Sequence, residues 1–266
     1  MSKTLALMNR ELRAYFYSPV AYVALVALYA VLAVFLLVPG LLSPRGYFEA
    51  GQPAEMRAVF DTMAYILVFI MPILTMRLLS EEMNKGTIET LMTAPVTDTQ
   101  VVLGKYLGAM GFYLLLLAPS LLYLGLLVAY GNPDAGMILA GYLGLVLIGM
   151  VYTAVGLLTS TCTRYDIVSA IVALFVLGTI TLLCTVLAWG ATALRHLAPT
   201  ADWARWLVDR LSDWGHRFFE YINVAKRYQD FSQGKIAFDD VTYFLVVTAL
   251  VLFITVKVLE SRKWRA

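Results

Sequence analysis

A chain that did chemistry by itself would need a nucleophile within reach of a base, a set of metal ligands, or a loop that cradles phosphate. Charged side chains gather in one stretch, SEEMNKGTIETLMTAPVTDTQVVLGKYLGA (Ser80 to Ala109), which holds Glu81, Glu82, Lys85, Glu89, Asp98 and Lys105. The only histidines, His196 and His216, lie far from it in a charge-rich segment, where solvated surface positions are expected. No HExxH and no GxSxG occurs, and no carboxylate pair faces itself across the apolar stretches. A metal site would need ligands beyond the two histidines. Gly104-Lys105 does not complete a P-loop, because Tyr106 follows it and no strand and phosphate-binding turn precede it. The expectation is a chain that is not an enzyme and binds no cofactor or metal. Any work it does must draw energy from another subunit.

The elements that carry this stretch follow from composition. Of 266 residues, 61% are hydrophobic and only 14% charged. Soluble domains carry about 25% charged residues, so the balance points to an all-α polytopic membrane protein. A net charge of +2 gives no reason to expect a nucleic-acid partner. Cys162 and Cys184 belong to no CxxC motif, and a disulfide between them is not expected. The N-terminal stretch lacks a long apolar core and a small-residue cleavage site, so it reads as retained.

Crossing a hydrocarbon core of about 30 Å takes around 20 apolar residues of helix. Six stretches qualify, at 20–38, 62–79, 101–130, 137–159, 167–189 and 241–259, in a single membrane domain that fills 1–266. Pro72 and Pro119 fall inside spans, where neighbours can re-satisfy the freed carbonyls. Six spans put both termini on one side. Lys3, Arg10, Arg13, Arg77, Lys85, Lys105, Arg164, Arg262, Lys263 and Arg265 fall on that side, against Arg45 and Arg57 in the short loops opposite. Positive charge collects on the cytoplasmic side of short loops, so both termini and residues 80–100 are expected to be cytoplasmic. The span interiors hold no Asp, Glu or His, which argues against a proton-coupled transporter.

Three further pieces surround the spans. Residues 1–18 read as an amphipathic elbow helix at the interface, with Leu5, Met8, Leu12, Tyr15 and Phe16 on one face, ended by Ser18-Pro19. From about Leu78 to Thr93 a short helix is expected, with Ile88, Leu91 and Met92 as its apolar face, stopped at Ala94-Pro95. Thr97 and Gln100 have the spacing of a capping box for the next helix, and Gly104 and Gly108 allow close helix approach. Acids outnumber bases around that short helix, so docking to a protein groove fits better than lying on lipid. In the outer segment 190–240, seven Lys or Arg balance seven Asp or Glu. Trp203, Trp206, Leu207, Leu211, Trp214 and Phe218 recur there at helical spacing, as an extracytoplasmic amphipathic helix at the interface or as a lid over the spans.

The run from Arg77 through Ser80-Glu81-Glu82, Gly86-Thr87-Ile88-Glu89, Leu91, Pro95 and Gly104-Lys105 resembles the hallmark of ABC-2 type transporter permeases. The resemblance extends to Arg10-Glu11-Leu12 and Ser18-Pro19 at the elbow, to Tyr152-Thr153-Ala154-Val155-Gly156, and to Leu259-Glu260 with Arg262 and Trp264. It is nearest to the permeases of gliding-motility ABC transporters, with the nitrous-oxide-reductase accessory permease as a relative. Met83-Asn84 departs from the basic pair often found after Glu-Glu, and the outer segment is unusually rich in Trp and Arg. The resemblance implies a cytoplasmic ABC ATPase partner in two copies, which would hold ATP and Mg, and a second permease copy, identical or paralogous. It implies a multi-pass protein of a bacterial cytoplasmic (inner) membrane. Carried over by position, Glu81, Glu82, Gly86, Thr87, Glu89 and Leu91 would form the ATPase-coupling surface, with Pro95, Gly104 and Lys105 at its exit.

Two functions follow as expectations. One is a permease subunit that couples ATP hydrolysis on a separate subunit to export of an amphipathic or weakly polar substrate. The other is a subunit that transmits force to an extracytoplasmic partner and moves nothing across the membrane.

Overall fold

The computed structural model of the chain describes residues 3–37, 56–87, 96–130, 134–184, 186–187, 210, 213–215, 217, 221 and 223–263. Among these there is no strand. Helix α1 (Lys3–Tyr17) is followed after Ser18 by α2 (Pro19–Leu37), and the two axes meet at 70°. Then come α3 (Arg57–Thr75), α4 (Arg77–Asn84), α5 (Asp98–Leu117), α6 (Ser120–Tyr130), α7 (Ala135–Cys162) and α8 (Asp166–Gly178). A π-helical turn (Thr179–Leu183) extends α8, and α9 (Val224–Ser232) and α10 (Phe238–Lys263) close the order. Five helical stretches among the described residues are long and apolar enough to cross a membrane, six if the bent α1–α2 pair counts as one. The chain is an all-α polytopic integral membrane protein.

Helix α7 is the axis, packing against α3, α4, α5, α8, α9 and α10. Its glycines allow this. A Cβ on Gly141 would lie 2.3 Å from the Phe60 ring of α3, and one on Gly149 would lie 2.1 Å from the Tyr113 ring of α5. At Gly156 it would lie 2.0 Å from Thr75 Oγ1. Small residues let helix backbones approach closely where hydrophobic driving force is absent. Tyr113 fills its slot completely and donates to the Leu145 carbonyl at 2.6 Å. On α8 and α10, Ile167, Ile171, Phe175, Val246, Leu250 and Phe253 point outward, as helices bordered by lipid require.

Interior hydroxyls mostly bond back to their own helix. Thr75 donates to Met71 O, Thr153 to Gly149 O, Thr161 to Leu157 O, Thr248 to Phe244 O and Thr255 to Val251 O. Each bond satisfies a buried hydroxyl without a neighbour. Pro119 divides the long third apolar stretch into α5 and α6, and Ser120 Oγ donates back to the Leu117 carbonyl at 2.7 Å.

At the end of the bundle away from the hallmark stretch lies α9, which the Trp periodicity did not point to. Asn223 caps it through its side chain, accepting from Ala225 N and Lys226 N, and buries Val224, Tyr228 and Phe231 against the spans. Arg227 is held between the Tyr221 and Tyr243 rings, 4.6 and 4.2 Å from their centroids, and pairs with Asp240 of α10. Of the tryptophan helix, Trp214 is described and exposed, while Trp203, Trp206, Leu207, Leu211 and Phe218 lie outside the described residues. Cys162 is exposed and Cys184 buried, and they form no disulfide with each other.

Gly149→Ala tests the α7 packing. Overpacking of this kind costs about 1–3 kcal/mol, so the variant should melt several degrees lower in detergent. Gly125→Ala, where an added Cβ meets nothing within 4 Å, should melt no lower than the native chain.

Candidate functional site

The hallmark stretch is anchored by a closed ring of four charges. Lys105, on α5, is only 2% exposed, and its Nζ lies 3.1 Å from Glu11 Oε1 of α1 and 3.0 Å from Glu82 Oε1 of α4. Arg10 of α1 completes the ring, its Nη2 2.8 Å from Glu11 Oε1 and 3.0 Å from Glu82 Oε1. Burial works to lower the pKa of the Arg10 guanidinium, but the two carboxylates outweigh it and the value is raised. Cations and anions alternate around the ring, so each carboxylate meets two positive partners. Glu82 Oε2 is buried with no hydrogen-bond partner among the described residues, which makes Glu82 depend on what Oε1 receives.

Glycine places the ring. A Cβ on Gly104 would stand 2.6 Å from Leu7 Cβ, and one on Gly108 would stand 2.6 Å from Glu11 Cβ. The partner of the Gly104–Gly108 face is therefore the elbow helix α1. Its packed face runs through Leu7, Met8 and Glu11, while Leu5 and Phe16 are exposed, so the apolar face is rotated from the one the sequence suggested. Glu11 belongs to that contact face because Lys105 waits opposite. Further along, Tyr15 stacks on Phe112 at 4.8 Å and donates to the Leu74 carbonyl at 2.9 Å.

A second polar knot fixes α4 to the far side. Ser160 Oγ of α7 accepts from Leu79 N at 2.8 Å and Ser80 N at 3.0 Å, and donates to Met76 O at 3.0 Å. Ser80 Oγ contacts Met76 O and reaches Asp166 Oδ1 at the start of α8, 2.6 Å away, while Arg77 Nε stands 3.6 Å from Asp166 Oδ2. Leu78, Leu79 and Met83 bury themselves beneath, with Leu157 and Leu259. Helix α4 is thereby gripped by the elbow, the third span, the α7–α8 corner and the last span.

The hallmark segment does not run as one helix from Leu78 to Thr93. Helix α4 begins at Arg77 and ends at Asn84, and residues 85–87 form a turn. Gly86 is the physical reason: its φ of 71° lies in the left-handed region that terminates helices and that side chains resist. Among the described residues nothing stands within 4 Å of a Cβ there, so the restriction they leave is one of backbone. Of the proposed coupling residues, Glu81 is partly exposed and paired with Lys85, and Gly86 and Thr87 are exposed. Glu82 instead turns into the ring. Ile88, Glu89, Leu91, Met92 and Pro95 lie outside the described residues. At the elbow Arg10 and Glu11 belong to the ring, Leu12 packs by Gly111, and Ser18-Pro19 form the bend. Thr97 and Gln100 do make the capping box, at 3.3 and 3.2 Å.

The sequence reading missed the ring itself. Its signal was present as Glu11 on the contact face of one amphipathic helix and Lys105 between two glycines of another.

A family model described as ABC-2 family transporter protein matches residues 5–260. No curated protein matches the chain.

Removing one partner of a buried ion pair typically costs about 3–5 kcal/mol. Lys105→Met should therefore lower the melting temperature strongly. Exposed pairs are worth under about 1 kcal/mol, and Arg10→Ala, with a side chain 53% exposed, should lower it little. Lys105→Met combined with Glu82→Gln should lose less stability than the two single losses added together. Strict additivity would show that the ring does not couple α4 to α5.

Proposed function

The chain belongs to the ABC-2 transporter family, and we propose that this permease subunit takes up the stroke of a separate cytoplasmic ABC ATPase through residues 80–95. The observation that carries this is the anchoring of α4. A segment that receives a push must pass it on without yielding, and α4 is tied by ring and knot to the elbow, the third span, the α7–α8 corner and the last span. Beyond it lies the exposed turn Lys85–Thr87, with Gly86 in the left-handed region.

In this reading ATP and Mg are held by two ATPase subunits, and two permease copies, identical or paralogous, move against each other. Both termini and the hallmark end are cytoplasmic, in the inner membrane of a bacterium. Transport requires a ligand whose affinity differs between the two arrangements of the spans. The charge-free span interiors favour an amphipathic or weakly polar cargo. The gliding-motility and nitrous-oxide-reductase accessory permeases, which the hallmark residues resemble, serve as functional analogues in this reading. In the second reading, force on an extracytoplasmic partner, the relevant contact is the Arg227–Asp240 pair. It ties the segment after the tryptophans to the last span, so a pull at one end reaches the other.

Co-purification tests the coupling. The native chain should bring down a P-loop ATPase from its host, and Leu91→Asp should lose it while melting at the native temperature. Gly86→Val should bind more weakly, because a β-branched residue costs about 1–2 kcal/mol in the left-handed region. Glu82→Lys is the wrong probe, since it would set a second cation against buried Lys105. No ATPase with the native chain would remove the energy source and overturn the reading.

A further inference from the structure

Beside the elbow bend lies an open groove of about 420 Å³, lined by residues of α1, the Ser18-Pro19 joint, the start of α2 and the α3–α4 stretch. Its position along the membrane normal can be read from charge. On α2, residues 20–37 carry no charge, whereas Arg10 and Arg13 stand just before the bend. On the neighbouring stretch the uncharged run between Asp61 and Arg77 spans about 24 Å of helix, close to a hydrocarbon thickness. Tyr17 and Tyr22 are exposed at this level, as aromatic side chains at a membrane–water boundary are. The groove thus opens where lipid headgroups lie.

The polarity of its wall is ordered. Phe69, Ile73, Arg77 and Glu81 follow one another at i, i+4 along one helical stripe, all at least partly exposed. Ile73, Arg77 and Glu81 line the groove, and Phe69 lies one turn deeper. Passing outward from the membrane, the stripe reads apolar, apolar, cation, anion. A zwitterionic phospholipid has the complementary order: acyl chain, phosphate, ammonium. Arg77 has the donors for a phosphate. Its Nε is paired with Asp166 at 3.6 Å, and the guanidinium makes no hydrogen bond among the described residues, so as a lining residue of the groove it keeps donors for a phosphate. Glu81, 41% exposed and shared with Lys85, offers acceptors one turn further out. Of the carboxylates lining the wall, Glu11 is held by Arg10 and Lys105, and Glu81 stands one turn beyond Arg77 on the stripe, so a headgroup that carries a cation beyond its phosphate meets both charges.

We propose that this groove binds a zwitterionic phospholipid whose headgroup ends in a primary ammonium, with the phosphate on Arg77, the ammonium on Glu81 and an acyl chain along Ile73 and Phe69. The lipid fills the angle between the elbow and the second span, and so braces the bend. This inference does not depend on the ATPase reading, because lipid retention is measured on the permease alone.

The test is native mass spectrometry of the full chain in detergent doped with equal amounts of dioleoyl phosphatidylethanolamine, phosphatidylcholine and phosphatidylglycerol. The native chain should retain phosphatidylethanolamine about tenfold over the other two, the scale of one charge-assisted hydrogen bond. Arg77→Ala should abolish the retention, and Glu81→Gln should reduce phosphatidylethanolamine to the level of phosphatidylcholine. Should Arg77→Ala disturb the fold through Asp166, Ala14→Trp decides: Ala14 is exposed, lines the groove and is itself a member of neither knot nor ring, and the indole would fill the site. Equal retention of the three headgroups would overturn the chemistry. Retention unaltered by Ala14→Trp would overturn the location, including the case in which that variant separates a dimer and a second copy proves to be what covers the groove.

Discussion

A lysine ammonium with almost no contact with solvent, at the end of a transmembrane helix, is the constraint around which this end of the molecule is arranged. An isolated buried charge costs far more than a fold can spare. Lys105 must therefore be met by carboxylates, and the chain supplies them from two other elements, Glu11 of the elbow and Glu82 of α4. The ring thus dictates that elbow, third span and hallmark helix meet at one point. It also fixes the rotation of α1, because a quarter turn would withdraw Glu11. Ion pairs in such settings are weak as a source of stability and strong as a source of register.

Around that point the rest is close packing with few polar demands. Helix α7 serves as a common wall because its glycines leave slots for Phe60, Tyr113 and Thr75. Each slot takes one side chain of one shape, so register along α7 is set by sterics where no charge is available. The end away from the hallmark stretch uses a third device, an arginine between two tyrosine rings and an aspartate, to seat the start of α10. Charge, shape and cation–aromatic contact thus divide the work of alignment along the membrane normal.

How much of this was legible follows from what each signal is made of. Apolar runs announce helices because a bilayer leaves little else, and the five or six membrane-length helices were readable for that reason. The Thr97–Gln100 box and the Gly104–Gly108 spacing are local patterns, and both describe real contacts. What α5's glycines touch is not local, and the sequence offered no way to choose α1 over another helix. Glu82 was read as an outward residue because it stands in a charged cluster. Its inward turn depends on Lys105, 23 positions away, and on Arg10, 72 positions away in the other direction. Helix α9 went unseen because the tryptophan periodicity before it is louder than the short Asn-capped turn that packs.

The interior threonines have a mechanical consequence. Because their hydroxyls bond within their own helices, those bonds travel with a helix when it slides and offer no resistance to shear. What does resist is the seating of Phe60, Tyr113 and Thr75 in the glycine slots of α7, together with tyrosine hydroxyls that reach across, among them Tyr15 to Leu74, Tyr29 to Leu116 and Tyr113 to Leu145. Midway through the membrane the helices are held by seated side chains and a few phenols, and at the hallmark end they are welded by charge as well. In a bundle built so, resistance to sliding rises toward one end.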